Sequence, residues 1–396
     1  MNIPLHIFLK PDRHKPMLAG HPWIFSGAIL RIEKTNVEEG KSGDLCELFS
    51  CDGEKLGVGY HNPKSSISVR VLQLGKNPFT EKDFLNRLEI AISRRTSYQD
   101  DQNDSCRLIN SEGDFLPGLI VDQFGSGICL QISTKGMDRW RALILDFLKQ
   151  HLSPTFIFEK SLSEAMDQES LNRKNALLYG KVPENFQIRE NGLTFKILFE
   201  ESQKTGFFLD QRWNRKLLMQ YARDRLVLDC FCYTGGFSLS ALKAGAKTVY
   251  SVDISEKAIA LAKQNRTDNG FSANPAECVV ADAFLYLREM TAPYDLIVLD
   301  PPKFAKHATQ VEKAAHGYKD INWLAFKKIK KGGILFTHSC SQPIDPKLFR
   351  QIVFSAAADA KRSVQVLHVL SHGPDHPVNL AHKEGEYLKG LVLRVD

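Results

Sequence analysis

The sequence predicts an α/β protein. Its C-terminal half is expected to be a Rossmann-like, mostly parallel sheet of seven strands, preceded by a β-rich domain and a small α+β domain. Three observations carry this. From about residue 191, short apolar runs alternate with segments of helical spacing, which implies a parallel sheet with helices on both faces. Residues 1–75 read as short strands cut by glycines and by Asn62-Pro63. Residues 76–190 mix both patterns, so the expected domains are 1–75, 76–190 and 191–396.

In the first segment Leu45–Phe49 and Ile67–Leu74 are the clearest strands. Glu81–Arg95 has helical spacing, with Phe84, Leu85, Leu88 and Ile92 on one face. Leu116–Val121 and Ile128–Ser133 read as strands joined by a hairpin across Asp122–Gly127. Trp140–His151 reads as a second helix, and the polar stretch Met166–Arg173 as surface. Beyond residue 191 the expected strands are Leu226–Cys230, Thr248–Asp253, Cys278–Ala281, Leu296–Asp300, Ile334–His338, Val364–Leu370 and Leu388–Val395. Expected helices are Gln211–Arg223, Phe237–Ala244, Glu256–Asn269, Ala283–Glu289, Tyr318–Lys330 and Pro346–Lys361. No helical pattern separates the last two strands, so they are expected to pair antiparallel.

Composition narrows the class. The chain has 396 residues, 43% hydrophobic and 25% charged, the balance of a soluble globular protein. A net charge of +6 admits an anionic partner without demanding one. The eight cysteines contain no CxxC pair and no zinc-site spacing, so no metal is expected. Their placement in apolar runs suits reduced thiols and a cytoplasmic location. The opening Met-Asn-Ile-Pro-Leu-His lacks a basic stretch followed by a long apolar core, and no secretory leader is expected. No run approaches ~18 apolar residues, so no membrane partner is expected.

The strongest local signal is Leu226–Leu239. An apolar strand ends at Asp229, a loop runs through Tyr233, Thr234, Gly235 and Gly236, and a helix follows. Ligands of doubly wound sheets bind at such strand ends, where glycine lets backbone approach closely. A second strand ends in Asp253, 24 residues after Asp229, the spacing of an acid that takes ribose hydroxyls. A third is followed by Asp282. Each acid alone could equally be a turn or helix-cap residue; the ordered set points to a nucleoside-bearing cofactor. The loop lacks the G-x-G-x-x-G that a dinucleotide pyrophosphate needs. That favours S-adenosylmethionine, and Asp229–Ser238 resembles the first motif of class I methyltransferases. Ile254 and Ala283, beside two of the acids, join the candidate cofactor set.

Two further strand ends bear unusual residues: Asp300-Pro301-Pro302-Lys303-Phe304 and His338-Ser339-Cys340-Ser341. The proline pair delays helix formation and keeps Asp300 at a rigid edge. A thiolate from Cys340 adding to carbon 6 of a cytosine would turn carbon 5 into a nucleophile. Asp300 would hydrogen-bond the base, which must leave any stack to enter the site. A lone cysteine is more often a buried hydrophobe, but this one follows a strand end between two serines. His338 is read as packing locally.

Asp300–Phe304 with Ser339–Ser341 resembles the bacterial 23S ribosomal RNA (cytosine-5) methyltransferases that carry an N-terminal PUA domain. Gly20-His-Pro-Trp-Ile-Phe25, Gly57–Lys64 and Ser68–Val71 are similar to that domain. Arg107–Asp122 resembles the family's central domain, and Gln203–Arg212 its entry into the catalytic domain. The resemblance implies Asp253 on the cofactor ribose, Asp282 on the adenine and Cys340 as nucleophile. It implies that Thr205, Phe208, Asp210, Gln211 and Arg212 close over cofactor or substrate. Other RNA cytosine-5 methyltransferases carry a second Cys in the fourth-strand motif; here the motif is Asp-Pro-Pro-Lys. The group that removes the carbon 5 proton is therefore unassigned.

The implied partner is 23S ribosomal RNA, free or in an assembly intermediate, with room for a homodimer. Pro301, Pro302, Lys303, Phe304, Lys306 and Arg212 form the candidate substrate set. Lys313, Lys319, Lys327, Lys328, Lys330 and Lys331 extend the basic run; Lys327–Lys331 suit a solvated helix face equally well. Near the N-terminus Lys10, Arg13 and Lys15 are candidate RNA contacts, and Trp23 is expected in the core. Methylation of a guanine or an exocyclic amino group, or a noncatalytic RNA-binding role, stay open at this point.

Overall fold

The computed structural model describes residues 3–35, 41–162, 165–202, 204–273, 276–291 and 293–396. Gln203, the first residue of the segment Gln203–Arg212, lies outside them. The chain divides into two compact units. One comprises Met1–Ile188, Ile197–Leu209 and Pro374–Gly385; the other comprises Arg189–Lys196, Asp210–Gly373 and Glu386–Asp396. No helix among the described residues is long and apolar enough to cross a membrane.

The first unit holds two sheets. One has six strands in the order Trp23–Ile24, Val69–Leu74, Lys55–His61, Asp44–Phe49, Leu5–Leu9, Ile29–Lys34. Its own core gathers Leu5, Ile7, Leu9, Ile24, Leu48 and Val69. The other has five strands in the order Lys174–Gly180, Phe156–Ser161, Gly127–Ile132, Leu119–Phe124, Ser105–Asn110. Helices Glu81–Ser93 and Arg141–Leu152 bury Phe84, Leu88, Ile144 and Leu148 against it, in a core that also takes Val58, Tyr60 and Leu72 of the six-stranded sheet. Thr80 starts the first of these helices with a capping box to Asp83. The expected hairpin closes more tightly than Asp122–Gly127: Phe124 pairs with Gly127 around Gly125-Ser126.

Met166–Arg173 is not simply surface. Met166, Glu169 and Leu171 are buried. Glu169 is buried because it receives the side-chain amide of Asn62 at 2.7 Å and the Arg70 guanidinium at 3.4 Å. Its partners lie about a hundred residues back along the chain, so no local pattern announces them. Trp23 is half-buried rather than core, donating from Nε1 to Glu112 at 2.8 Å and facing the His382 ring at 4.4 Å.

The second unit is built on a seven-stranded sheet: β1 (Leu226–Cys230), β2 (Thr248–Asp253), β3 (Ala276–Val280), β4 (Tyr294–Leu299), β5 (Ile329–Ser339), β6 (Val364–Ser371) and β7 (Lys389–Val395). Their order is β3-β2-β1-β4-β5-β7-β6. Pairs from β3 to β5 are parallel, and β7 lies antiparallel between β5 and β6. The helices are α1 (Arg212–Ala222), α2 (Gly236–Lys243), α3 (Glu256–Asp268), α4 (Ala283–Glu289), α5 (Val311–Lys328) and α6 (Pro346–Asp359). Leu228, Cys230, Ile297, Leu299 and Leu335 face α4, α5 and α6 in one cluster with Leu287, Tyr318 and Phe349. Opposite-facing residues meet α1 and α2: Phe336 lies against Tyr221 and His338 against Phe237. β1 and β2 have the expected bounds.

Helix α5 differs from the expected Tyr318–Lys330. It begins at Val311 because Ala314 joins Tyr318, Ile321 and Ala325 on the buried stripe. It ends at Lys328 because Ile329 already pairs with Tyr294 of β4.

Candidate active site

β1 ends at Cys230 and the chain turns through Phe231–Gly235 into α2. Phe231, Tyr233 and Gly235 all have left-handed backbones, at φ +61°, +50° and +86°. At Gly235 an added Cβ would lie 3.3 Å from the Ala262 Cβ. Non-glycine residues persist in this region only when their surroundings hold them. Here two carboxylates do so. Asp229, fully buried, accepts from Ser238 N at 2.9 Å and Ser238 Oγ at 2.6 Å. Asp253, at the end of β2, accepts from Tyr233 N and Ser255 N, both at 2.9 Å.

Burial pushes the Asp229 carboxyl up to about 7; the Ser238 donors oppose this, while the charges of Asp300 and Asp253 add to it. Its Oδ1 has no hydrogen-bond partner among the described residues. Thr234 is buried, and its carbonyl accepts from Asn265 at 3.0 Å. Ile254 is 72% exposed. Asp282 follows β3 and caps α4, its Oδ1 accepting from Phe284 N at 2.8 Å and Leu285 N at 3.0 Å. Ala283 opens that helix and is buried.

The ends of β4 and β5 form a second cluster. Asp300 Oδ1 accepts from Gln211 Nε2 at 2.9 Å. Gln211 Oε1 in turn accepts from Asn214 at 2.6 Å, and Asn214 also donates to the Ser371 carbonyl at 3.1 Å. Asp210 accepts from Tyr387 Oη at 2.7 Å, and the buried Arg212 guanidinium lies 5.8 Å from the Trp213 ring. Pro301 is buried, while Pro302, Lys303 and Lys306 are exposed. Phe304 packs inward, 4.6 Å from the Tyr318 ring. Cys340 lies just past β5, half-buried, with its thiol directed to the Pro301 carbonyl at 3.8 Å.

The fold thus joins Gln211, Asp300, Pro301 and Cys340, residues from three separate stretches of chain. Phe208 and Thr205 belong to the other compact unit. There the Lys204 ammonium lies 4.4 Å from the Phe208 ring, and Thr205 donates to Asp122 at 2.5 Å. Along α5 and beyond, Lys319 pairs with Asp359, Lys330 with Asp295, and Lys328 donates to the Met290 carbonyl. His338 is fully buried, and burial lowers its imidazole to about 3. It is held neutral away from the thiol.

Sequence reasoning missed Ser341, Tyr318 and Lys389. Ser341 Oγ accepts from Phe304 N at 3.0 Å and Ala305 N at 3.1 Å, and lies 2.9 Å from Tyr318 Oη. The Ser341 and Ile344 carbonyls accept from Lys389 Nζ at 2.7 and 2.5 Å. A lysine near the head of the otherwise apolar run Leu388–Leu393 was the available signal.

A family description of S-adenosylmethionine-dependent methyltransferases matches residues 169–393. The chain belongs to that family. A PUA-like domain matches residues 7–74 of this methyltransferase. Ribosomal RNA large subunit methyltransferase I of Aeromonas hydrophila is 41% identical to it, and that of Aeromonas salmonicida 40%; each match covers 98% of both chains. The fold matches a solved S-adenosylmethionine-dependent methyltransferase of Streptococcus mutans with a TM-score of 0.83 at 21% identity, over 98% of this chain and 99% of that one. It also matches a methyltransferase solved with S-adenosylhomocysteine, with a TM-score of 0.84, the same identity and the same coverage.

The cofactor of the methyltransferase is S-adenosylmethionine. The first cluster fits such a group. The turn at Gly235 carries no Cβ, and Asp229 keeps one oxygen without a partner among the described residues.

Proposed function

We propose that this methyltransferase modifies carbon 5 of a cytosine in large-subunit ribosomal RNA, in the cytoplasm, with Cys340 as covalent nucleophile. The observation that carries the reading is the half-buried Cys340 thiol beside the Asp300-Pro301 edge, 3.8 Å from the Pro301 carbonyl. By contrast, Cys230 and Cys232 are buried, and burial pushes their thiols well up. The relatives named as ribosomal RNA methyltransferases and the PUA-like segment support RNA as the polymer.

Asp253 and Asp282 would hold the adenosine part of the cofactor, with Tyr233, Thr234, Gly235, Ile254 and Ala283 around it. Asp229 would shape the turn from beneath. The bound cofactor supplies an electrophilic methyl group. The Cys340 thiolate adds to carbon 6 of the flipped cytosine, and the ring electrons move to carbon 5, making it nucleophilic toward that methyl group. Loss of the carbon 5 proton to a base not assigned among these residues then expels the Cys340 thiolate from carbon 6 and restores the ring. Asp300, steadied by Gln211, accepts from the cytosine amino group as a carboxylate, or donates to the ring nitrogen as the protonated acid, and eases the addition at carbon 6. Lys303 and Lys306 meet phosphate, and Pro302 borders the base.

Phe304 weighs against amino-group methylation. That chemistry stacks an aromatic ring from this motif on the base, whereas Phe304 packs against Tyr318. Cys340→Ala is expected to abolish methyl transfer while S-adenosylmethionine binding, followed by calorimetry, stays within about twofold. Bisulfite mapping of the RNA with and without the protein reads the modified base. Full activity in Cys340→Ala would overturn the mechanism, and a modified guanine or amino group would overturn the target.

A further inference from the structure

We propose that Lys389 is a positioning residue for Cys340, its ammonium pinning the loop that bears the thiol and lending that loop the positive charge a thiolate needs. The inference rests on the reading of Cys340 as nucleophile.

Lys389 opens β7, opposite Ser339 of β5 and Ser371 of β6. Only 4% of it is exposed. An ammonium has three donors and no acceptor, and burying one without partners is costly. Two donors are met by the carbonyls of Ser341 and Ile344, at 2.7 and 2.5 Å. Both carbonyls belong to the Cys340 loop, so the charge sits directly beneath it.

The same loop is tied from other directions. Ser341 Oγ takes the Phe304 and Ala305 amides, which fastens it to the Asp300-Pro-Pro edge. Tyr318 of α5 reaches the same oxygen at 2.9 Å. Several charged or titratable groups bear on this spot. Burial lowers the Lys389 ammonium to about 8; Cys340 and Asp345 act to raise it again, and Lys303 lowers it. Tyr318, feeling Cys340, is held up to about 12 by burial and stays neutral. Asp300 lies on the adjoining edge. At neutral pH Lys389 is mostly charged, and Asp345 is the acid set against it.

The usual partner of a reactive thiol is a histidine. His338 does not serve: it lies fully buried on the opposite face against Phe237, and burial keeps it neutral. Lys389 supplies the missing cation from the base of the loop, interacting with Cys340 through space.

Lys389→Met and Lys389→Gln of the full-length protein test this. Gln keeps a donor and drops the charge, and carries the test if the Met variant does not fold. The first readout is iodoacetamide alkylation of Cys340 across pH 6–10, resolved by mass spectrometry of the Cys340 peptide. The neutral variants should shift the thiol profile upward by about one pH unit, slowing alkylation at pH 7 about tenfold. The kcat for methyl transfer should fall by a similar factor, with KM for S-adenosylmethionine within about twofold, and Lys389→Arg should recover part of both. An alkylation profile identical to wild type in the neutral variants overturns the proposal. Alkylation needs no turnover, so this failure differs from an active Cys340→Ala, which overturns the nucleophile itself.

Discussion

Gln211 donates its side-chain amide to Asp300 at 2.9 Å while only 2% exposed. The bond crosses from the entry of α1 to the end of β4. Its acceptor is the acid of the Asp-Pro-Pro edge, and its donor is itself oriented by Asn214. The Asp300 carboxylate is therefore held in one orientation.

Gln211→Ala should loosen that acid. A hydrogen bond to a charged acceptor contributes about 1.5–3 kcal/mol. If most of that orients Asp300 in the transition state, single-turnover methylation slows roughly 10- to 100-fold with little change in RNA affinity. Wild-type rates in this variant would remove Asp300 orientation from the mechanism.

Asp229 makes stability depend on pH in a direction unusual for a carboxylate. Its folded pKa stands at about 7 against an ordinary 3.8, so between those values the folded chain holds a proton that the unfolded chain has lost. By linkage, its contribution to stability is complete below about 4 and declines as pH rises through about 7. Asp229→Asn keeps the Ser238 contacts without the charge. The difference in urea midpoint, variant minus wild type, should therefore grow more positive from pH 4 to 7. A difference constant over that window would show that the carboxyl ionises freely.

Lys303 and Lys306 stand exposed beside the Asp-Pro-Pro edge. If each neutralises one phosphate, each change to Ala should lower the slope of log affinity against log salt by about 0.7–0.9. Lys330→Ala is the control, because Lys330 already pairs with Asp295 at 2.7 Å. Equal slopes for wild type and the Lys303→Ala, Lys306→Ala double variant would move the RNA path elsewhere.

Much of the catalytic unit was legible because its signals are local. β1 and β2 are apolar runs bounded by polar turns, and the acids Asp229, Asp253, Asp282 and Asp300 stand at or just beyond the ends of four successive strands. The start of α5 was missed because Val311–Gly317 buries only a thin stripe around Ala314. The burial of Glu169 was missed because composition shows a charge but not the distant Arg70 that offsets it.

The sequence by itself determined the alternation of strands and helices, the glycine turn and the placing of Cys340 past a strand end. Side-chain periodicity and turn chemistry act within a few residues, so they are written locally. Only the tertiary structure decided that β7 slips between β5 and β6, which brings Lys389 under a loop 45 to 48 residues earlier in the chain. It also decided that Asp229 is buried as a clamp and that Tyr318 and Ser341 lock two loops together. These contacts join side chains to polar groups far away in sequence, and packing alone selects which of them meet.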